Sequence, residues 1–211
     1  MRGLICKDFF VMKKQLGYYL AFFVVYGVLA VTGVFPASIL SALVAVIAMM
    51  VPMSSIAYDD QAHWGRYAAA TPAGVVAAKY LFTLLVLAAC AVLVAVLAAI
   101  LSLTGLLTEP LADLLAAVGA CMGVAMVMDA ILLPLLFRFG AEKSRTISMI
   151  FFIVIFGGCM LLGKLAQQQG GLPRPPAWLA NALPALLAIL AVGTFVLSYW
   201  IAQGIYEKKE L

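Results

Sequence analysis

The sequence predicts an all-α integral membrane protein with six transmembrane helices, and three observations carry this prediction. Of its 211 residues, 66% are hydrophobic and only 10% are charged, and the mean hydropathy is +1.15. This composition excludes an ordinary soluble domain. The apolar residues also form six runs long enough to cross a hydrocarbon layer about 30 Å thick. Finally, almost all basic residues fall on one side of those six runs.

The six spans are expected to be helices, because a helix satisfies its backbone hydrogen bonds within its own segment in lipid. The spans are Gly17 to Val34, Ile39 to Ala57, Tyr80 to Leu103, Leu114 to Phe137, Ile147 to Leu165 and Leu183 to Ile201. Only Phe35 to Ser38 joins the first two. We therefore expect a tight helical hairpin at the start, with Pro36 marking the break.

The distribution of basic residues predicts the orientation of the chain. The protein has thirteen Lys and Arg residues, and with six crossings all of them except Lys164 and Arg174 fall on one side. By the positive-inside rule that side is cytoplasmic, so both termini and the segment from Tyr58 to Tyr80 are expected in the cytoplasm. The net charge of +4 then follows from topology and indicates no nucleic-acid partner.

The whole chain, 1–211, is expected to form one transmembrane domain. Near its start, Leu4 or Ile5, Phe9, Met12 and Leu16 recur at helical spacing, while Lys7, Asp8, Lys14 and Gln15 gather on another face. Residues 1–16 are therefore predicted to form an amphipathic helix in the cytoplasmic interface, with its lysines near anionic lipid head groups. An ordinary basic flank that only fixes topology is the alternative.

The segments between the spans complete this organisation. Residues 58–79 and 138–146 are predicted to be cytoplasmic loops, 166–182 an extracellular loop and 202–211 a cytoplasmic tail.

Patterns that would support catalysis or cofactor binding do not occur. The run GCMLLGKL, Gly158 to Leu165, matches G-x-x-x-x-G-K, but Leu165 stands where Ser or Thr is needed and the run lies in an apolar helix. The four cysteines, Cys6, Cys90, Cys121 and Cys159, lack C-x-x-C spacing, and His63 is the only histidine. Neither a zinc site nor a disulfide framework is predicted. We expect no cofactor and no enzymatic activity in this chain.

One acidic residue, Asp129, is expected near the middle of the bilayer. It lies nine residues before Arg138, which is about 13 Å along a helix at 1.5 Å per residue. An intramembrane carboxylate is costly. It predicts either a group that lines a substrate path or a protonated or hydrogen-bonded link between two helices. Pro134, five residues later, removes one backbone hydrogen bond and predicts a kink.

The longest polar segment, YDDQAHWGRYAAATPAGVVAAKY from Tyr58 to Tyr80, separates the second and third spans. Trp64, Arg66 and Tyr67 are residue types enriched at interface hot spots, and Pro72 breaks any helix before the third span. A docking surface for another protein explains this composition. A lipid-facing loop whose aromatic side chains lie at headgroup level explains it equally well.

Four stretches, taken in order, resemble small ABC-2 type permeases, the membrane subunits of a class of ATP-binding-cassette exporters. They are MRGLICKDFFVMKKQL at the start, YDDQAHWGRYAAATP with AAKY, LPLLFRFGAEKSR at Leu133 to Arg145, and SYWIAQGIYEKKEL at Ser198 to Leu211. The resemblance implies a type V exporter-like fold that forms half of a transport pore in a bacterial plasma membrane. A second permease, identical or related, would complete the pore, and separate cytoplasmic ATPase subunits would bind the ATP.

The resemblance also implies which residues contact the ATPase, since the loop after the second span acts as a coupling helix in that family. The contact residues would be Asp59, Asp60, Trp64, Arg66, Tyr67 and Pro72, with Lys7, Asp8, Gly140, Glu142 and Lys143 beside them. Family members usually carry a larger outer element after span five, whereas Gln167 to Ala182 is short and proline-rich here.

Two other functions remain alternatives. One is an ion-coupled secondary transporter that uses Asp129. The other is a membrane assembly subunit that transports nothing. The resemblance leaves the substrate open among peptides, lipids, drugs and polymers.

Overall fold

The computed structural model describes residues 2–32, 38–61, 71–105, 110–168 and 177–209, and this part of the chain is helical apart from short turns. The elements are α1 (Arg2–Val31), α2 (Ser38–Gln61), α3 (Pro72–Leu103), α4 (Leu111–Gln168) and α5 (Ala177–Lys209). Gly140 divides α4 into two arms, 111–139 and 141–168, because its φ of 76° and ψ of 173° are not helical. Glycine alone adopts these angles readily. The described residues thus contain six helices, and the all-α prediction is confirmed.

Four stretches are long and apolar enough to cross a membrane, judged by length and composition in the described ranges. They are Leu40–Asp59, Ala73–Leu103, Leu111–Gly140 and Ala185–Lys208. They correspond to the second, third, fourth and sixth predicted spans. Gly17–Leu29 in α1 is a shorter apolar stretch at the place of the first predicted span. The predicted fifth span is helical within the second arm of α4. The chain is accordingly a multi-pass membrane protein.

The first helix differs from the sequence-based description. The predicted interfacial helix, 1–16, and the first span, predicted to start at Gly17, are one uninterrupted helix, α1. No proline occurs between Arg2 and Val31, and a glycine inside a helix costs only about 1 kcal/mol relative to alanine. Neither Leu16 nor Gly17 therefore ends the helix. The location of these turns at a membrane surface stays a prediction.

The predicted loop 58–79 is helical at both ends. α2 continues to Gln61, and α3 begins with Pro72 at its first position, where a missing backbone N–H is harmless. Thr71 caps α3, because its Oγ1 accepts a hydrogen bond of 3.3 Å from the backbone N–H of Gly74. Only 62–70 of this predicted loop lies outside the described residues.

The other predicted connections are also partly helical. α4 continues to Gln168 and α5 starts at Ala177 and runs to Lys209. Pro134 keeps helical backbone angles, and the break in α4 comes six residues later, at Gly140. Pro52 likewise lies inside α2, and that helix continues past it.

Apolar packing joins α2, α3, the first arm of α4 and α5 at one end of the bundle. The first arm of α4 packs against α2, α3 and α5, and α1 packs against α2 and α3. One buried cluster joins Ile56 near the end of α2, Val76 near the start of α3, Phe137 at the end of the first arm and Ala202 of α5. The first turns of α1 reach the same end through Asp8, which contacts Ser55 of α2. The distribution of basic residues predicts that this end faces the cytoplasm, and the orientation stays a prediction.

Candidate functional site

Four charged side chains from three helices meet at this end of the bundle. Lys7 and Asp8 come from α1, Asp59 from the last turn of α2 and Lys79 from α3; together with Ser55 of α2 we call them the ion cluster. Lys7 Nζ lies 2.6 Å from Asp59 Oδ1 and 3.8 Å from Asp8 Oδ1. The cluster contains two positive and two negative groups, so its formal charge is balanced.

Lys79 lies at the centre of the ion cluster. Its Nζ is 2.7 Å from Asp8 Oδ1, 2.6 Å from Asp59 Oδ2 and 2.6 Å from Ser55 Oγ. A lysine ammonium has three N–H donors, so these three acceptors use all of them. The hydroxyl of Ser55 in turn donates to Asp8 Oδ1 at 3.0 Å. Lys79 therefore ties α3 to both α1 and α2.

Burial makes this pairing necessary. The side chains of Asp8 and Lys79 are 1% and 6% exposed, whereas those of Lys7 and Asp59 are 20% and 17% exposed. A charge removed from water without a partner costs several kcal/mol. Asp8 Oδ2 accepts no hydrogen bond from the described residues, so Oδ1 makes the contacts that stabilise this carboxylate.

Local sequence places each member of the cluster. Ser55 and Asp59 are four residues apart on α2 and share one face of the helix. Lys79 follows Pro72 by seven residues, about two helical turns. Because Asp59 and Lys79 stand on either side of 62–70, the cluster joins the two helix ends that flank this segment.

The structure brings three of the predicted coupling residues together: Lys7, Asp8 and Asp59. Lys7 pairs with Asp59, while Lys13 and Phe9 on the same helix are exposed. The predicted position of the α1 lysines near lipid head groups stays a prediction.

Other predicted coupling residues lie elsewhere or outside the described part. Trp64, Arg66 and Tyr67 are outside the described residues, as are the side chains of Asp60, Pro72 and Glu142. Gly140 and Lys143 lie on α4 and are not members of the ion cluster. Gly140 forms the break in α4, and Lys143 is exposed. Next to the break, the guanidinium of Arg138 lies 5.3 Å from the ring centroid of Phe139.

Sequence reasoning missed Lys79 as a site residue, because it counted this lysine only as a marker of topology. A signal was present. Lys79 is preceded by VVAA and followed by YLF, and a lysine within such an apolar run needs a carboxylate partner.

A second buried polar group lies deeper in the bundle, around Asp129. Asp129 is 1% exposed, and neither of its oxygens accepts a hydrogen bond from the described residues. The hydroxyls of Tyr80 in α3 and Ser198 in α5 lie 2.5 Å apart, and Ser198 donates to the backbone carbonyl of Ala130. Asp129 is thus buried within the bundle, and Ser198 of α5 contacts the backbone of the next residue, Ala130. The predicted position of Asp129 near the middle of the bilayer stays a prediction.

Metal binding has no support in the described part of the chain. No group of three or more His, Cys, Asp or Glu side chains lies close together there. Cys6, Cys90 and Cys121 are free thiols, and the side chain of Cys159 lies outside the description.

Comparison with known proteins shows the family to which the chain is similar. The chain is similar to a family model described as "ABC-2 family transporter protein" over residues 3–207. No curated protein and no solved structure gives a significant match. The match covers nearly the whole chain, including all members of the ion cluster and Asp129.

Proposed function

This chain belongs to the ABC-2 transporter family, and we propose that it is the membrane-spanning permease subunit of an ATP-driven exporter. In this proposal the chain forms part of the translocation path and couples to a separate cytoplasmic ATPase. The observation that carries the proposal is the ion cluster, which fixes α1 against the two helix ends that flank 62–70.

A coupling element has to transmit displacement from the ATPase to the spans. The ion cluster suits this role because Lys79 links three helices through short contacts, and buried ion pairs fix the register of neighbouring elements. A displacement of 62–70 would then move the ends of α2 and α3 together with the first turns of α1. Allosteric coupling of this kind requires two states of the bundle that ATPase and substrate each bias.

The segment 62–70 would supply the contact itself. Trp64, Arg66 and Tyr67 combine large area with hydrogen-bonding groups, which is the composition of interface hot spots. Asp60 and Pro72 would border this contact, and Gly140, Glu142 and Lys143 would approach it from α4.

The nucleotide would be bound by the partner chain. The run of residues 158–164 that matches the phosphate-binding pattern is helical within α4, whereas phosphate binding needs a loop whose backbone N–H groups face the ligand. The permease would work in a bacterial plasma membrane with both termini in the cytoplasm, paired with a second permease.

Co-purification tests this proposal. The tagged protein is extracted from its native membrane into nanodiscs, and ATP hydrolysis is measured on whatever is retained. We expect a cassette ATPase to co-purify and its activity to fall in Trp64→Ala. The matched control is Trp200→Ala, because Trp200 is 70% exposed on α5 and far along the chain from the segment.

Two results would count against the proposal. Recovery of the permease alone, without nucleotide hydrolysis, would remove the ATPase from the account. Equal hydrolysis in wild type and Trp64→Ala would reject 62–70 as the coupling segment.

A further inference from the structure

Asp129 is a buried acid without a described partner. It is 1% exposed, and both carboxylate oxygens are inaccessible and accept no hydrogen bond from the described residues. Buried carboxylates are normally paired or hydrogen-bonded. The ion cluster shows that this protein pairs its other fully buried aspartate, Asp8. The proposed coupling mechanism makes no use of Asp129.

Tyr80 of α3 links Asp129 to a group of aromatic rings and hydroxyls. Tyr80 is close enough to Asp129 to interact with it electrostatically. The ring of Tyr80 packs edge to face with Phe195 and Tyr199, at centroid distances of 5.0 and 5.4 Å. Its hydroxyl pairs with Ser198, which also donates to the carbonyl of Ala130. Tyr80 therefore interacts with the carboxylate of α4, while two aromatic rings and a hydroxyl of α5 contact Tyr80.

This set of groups suits an organic cation. A carboxylate offers a charge-assisted hydrogen bond to an ammonium group, and the faces of tyrosine and phenylalanine rings attract cations. A divalent metal ion suits the site poorly, because Ca²⁺ and Mg²⁺ require about six or more oxygen ligands. Among the described residues no group of three or more His, Cys, Asp or Glu side chains lies close enough together to form such a shell.

We propose that Asp129 is the anionic anchor of a binding site for organic cations at the junction of α3, α4 and α5. This inference rests on the proposed function and names its substrate class: apolar molecules that carry an ammonium or other cationic group. The hydrogen bond between Tyr80 and Ser198 ties α3 to α5. Separation of these helices would free both hydroxyls and expose the carboxylate to the ligand.

Position along the helix supports this assignment. Asp129 lies nine residues before Arg138, about 13 Å from the end of the apolar stretch. A cationic group at that depth leaves water and needs a counter-charge in the bundle. The apolar body of the same molecule remains compatible with the surrounding helices.

A pair of probes with one shape and opposite charges tests the proposal. Binding of tetraphenylphosphonium and of tetraphenylborate to the permease in nanodiscs is measured by equilibrium dialysis, without any ATPase. We expect saturable binding of the cation only. Asp129→Asn, which keeps the shape of the side chain, should weaken it by roughly 10- to 100-fold, as expected for loss of the charge–charge attraction between the carboxylate and the cation.

Two further variants complete the design. Asp113→Asn is the matched control, because Asp113 is exposed at the start of α4 and should leave binding unchanged. Asp129→Glu keeps the charge and should retain more affinity than Asp129→Asn. This comparison keeps the test decisive if the amide disturbs folding.

Three results would contradict the proposed binding site. These are no saturable binding of the cation to wild type, equal binding of both probes, or equal affinity in wild type and Asp129→Asn. Since the assay contains no ATPase, its failure leaves the coupling proposal intact, and failure of co-purification leaves the binding result intact.

Discussion

Asp8 and Asp129 are equally buried, each 1% exposed, yet their surroundings are opposite. Asp8 lies in the ion cluster, where Lys79 and Ser55 bind its Oδ1. Asp129 lies within the bundle, and no described residue donates a hydrogen bond to either of its oxygens. Burial alone therefore does not distinguish a group that positions helices from a group that is available to a ligand. The ionic and hydrogen-bonding partners of each carboxylate make this distinction.

The difference follows from the location of each residue on its helix. Asp8 is close to a helix end where α1, α2 and α3 all carry polar residues, so a balanced set of charges can assemble. Asp129 stands in the long apolar stretch Leu111–Gly140, where the facing helices offer hydroxyls and rings. Four predictions test this contrast, beginning with the largest expected effect.

Removal of Lys79 should have the largest effect. Lys79→Ala leaves Lys7 as the remaining cation of the cluster for Asp8 and Asp59, and breaking a buried ion pair costs about 3–5 kcal/mol. The measurement is reversible unfolding of the purified permease in mixed micelles. Lys164→Ala, at an exposed position of α4, should change the free energy of unfolding by less than about 0.5 kcal/mol. A similar small change in both variants would contradict the account.

Replacement by asparagine should affect stability more at Asp8 than at Asp129. Asp8→Asn removes the charge that faces Lys79 and should destabilise the protein by about 1–3 kcal/mol. Asp129→Asn removes no described hydrogen bond and should change stability by less than about 1 kcal/mol. The two unfolding curves are compared directly with wild type. Equal destabilisation would show that Asp129 has a structural partner after all.

Ser55→Ala should have a smaller effect than Asp8→Asn. The hydroxyl accepts from Lys79 and donates to Asp8, and its loss should reduce stability by about 1–2 kcal/mol. The neighbouring Ser54 is the matched control, because it bonds only to the carbonyl of Val51 one turn earlier among the contacts described. A larger loss in Ser54→Ala than in Ser55→Ala would be the contrary result.

Tyr80→Phe should have the smallest effect on stability. The ring and its packing against Phe195 remain, and Ser198 can still donate to the carbonyl of Ala130. We expect a loss of less than about 1 kcal/mol in the unfolding assay. A loss above about 2 kcal/mol would mean that the hydroxyl holds the bundle together and is not available to a ligand.

Much of the architecture could be predicted from the sequence, because a long apolar run in lipid has few structural options. The helical nature of every described segment and four of the spans follow from this reasoning. Helix ends were less predictable. α1 passes through Gly17 without a break, and α4 breaks at Gly140 and keeps helical angles at Pro134, since tertiary packing decides which glycine or proline interrupts a helix.

The candidate site was predictable only in part. Lys7, Asp8 and Asp59 were singled out through the resemblance to ABC-2 permeases, but their mutual pairing depends on the register between α1 and α2. A single sequence holds no information on that register. The apolar residues around Lys79 indicate that it needs a carboxylate partner, but which carboxylates face it depends on the same register.

ATP hydrolysis by the co-purified complex, compared between Lys79→Met and Lys164→Met, tests the central claim most directly. Each variant is purified from native membranes into nanodiscs, and hydrolysis is expressed per assembled complex. If the ion cluster couples 62–70 to the spans, Lys79→Met should lower hydrolysis severalfold while Lys164→Met matches wild type. Recovery of the permease without an ATPase, or equal hydrolysis in all three proteins, would contradict the account.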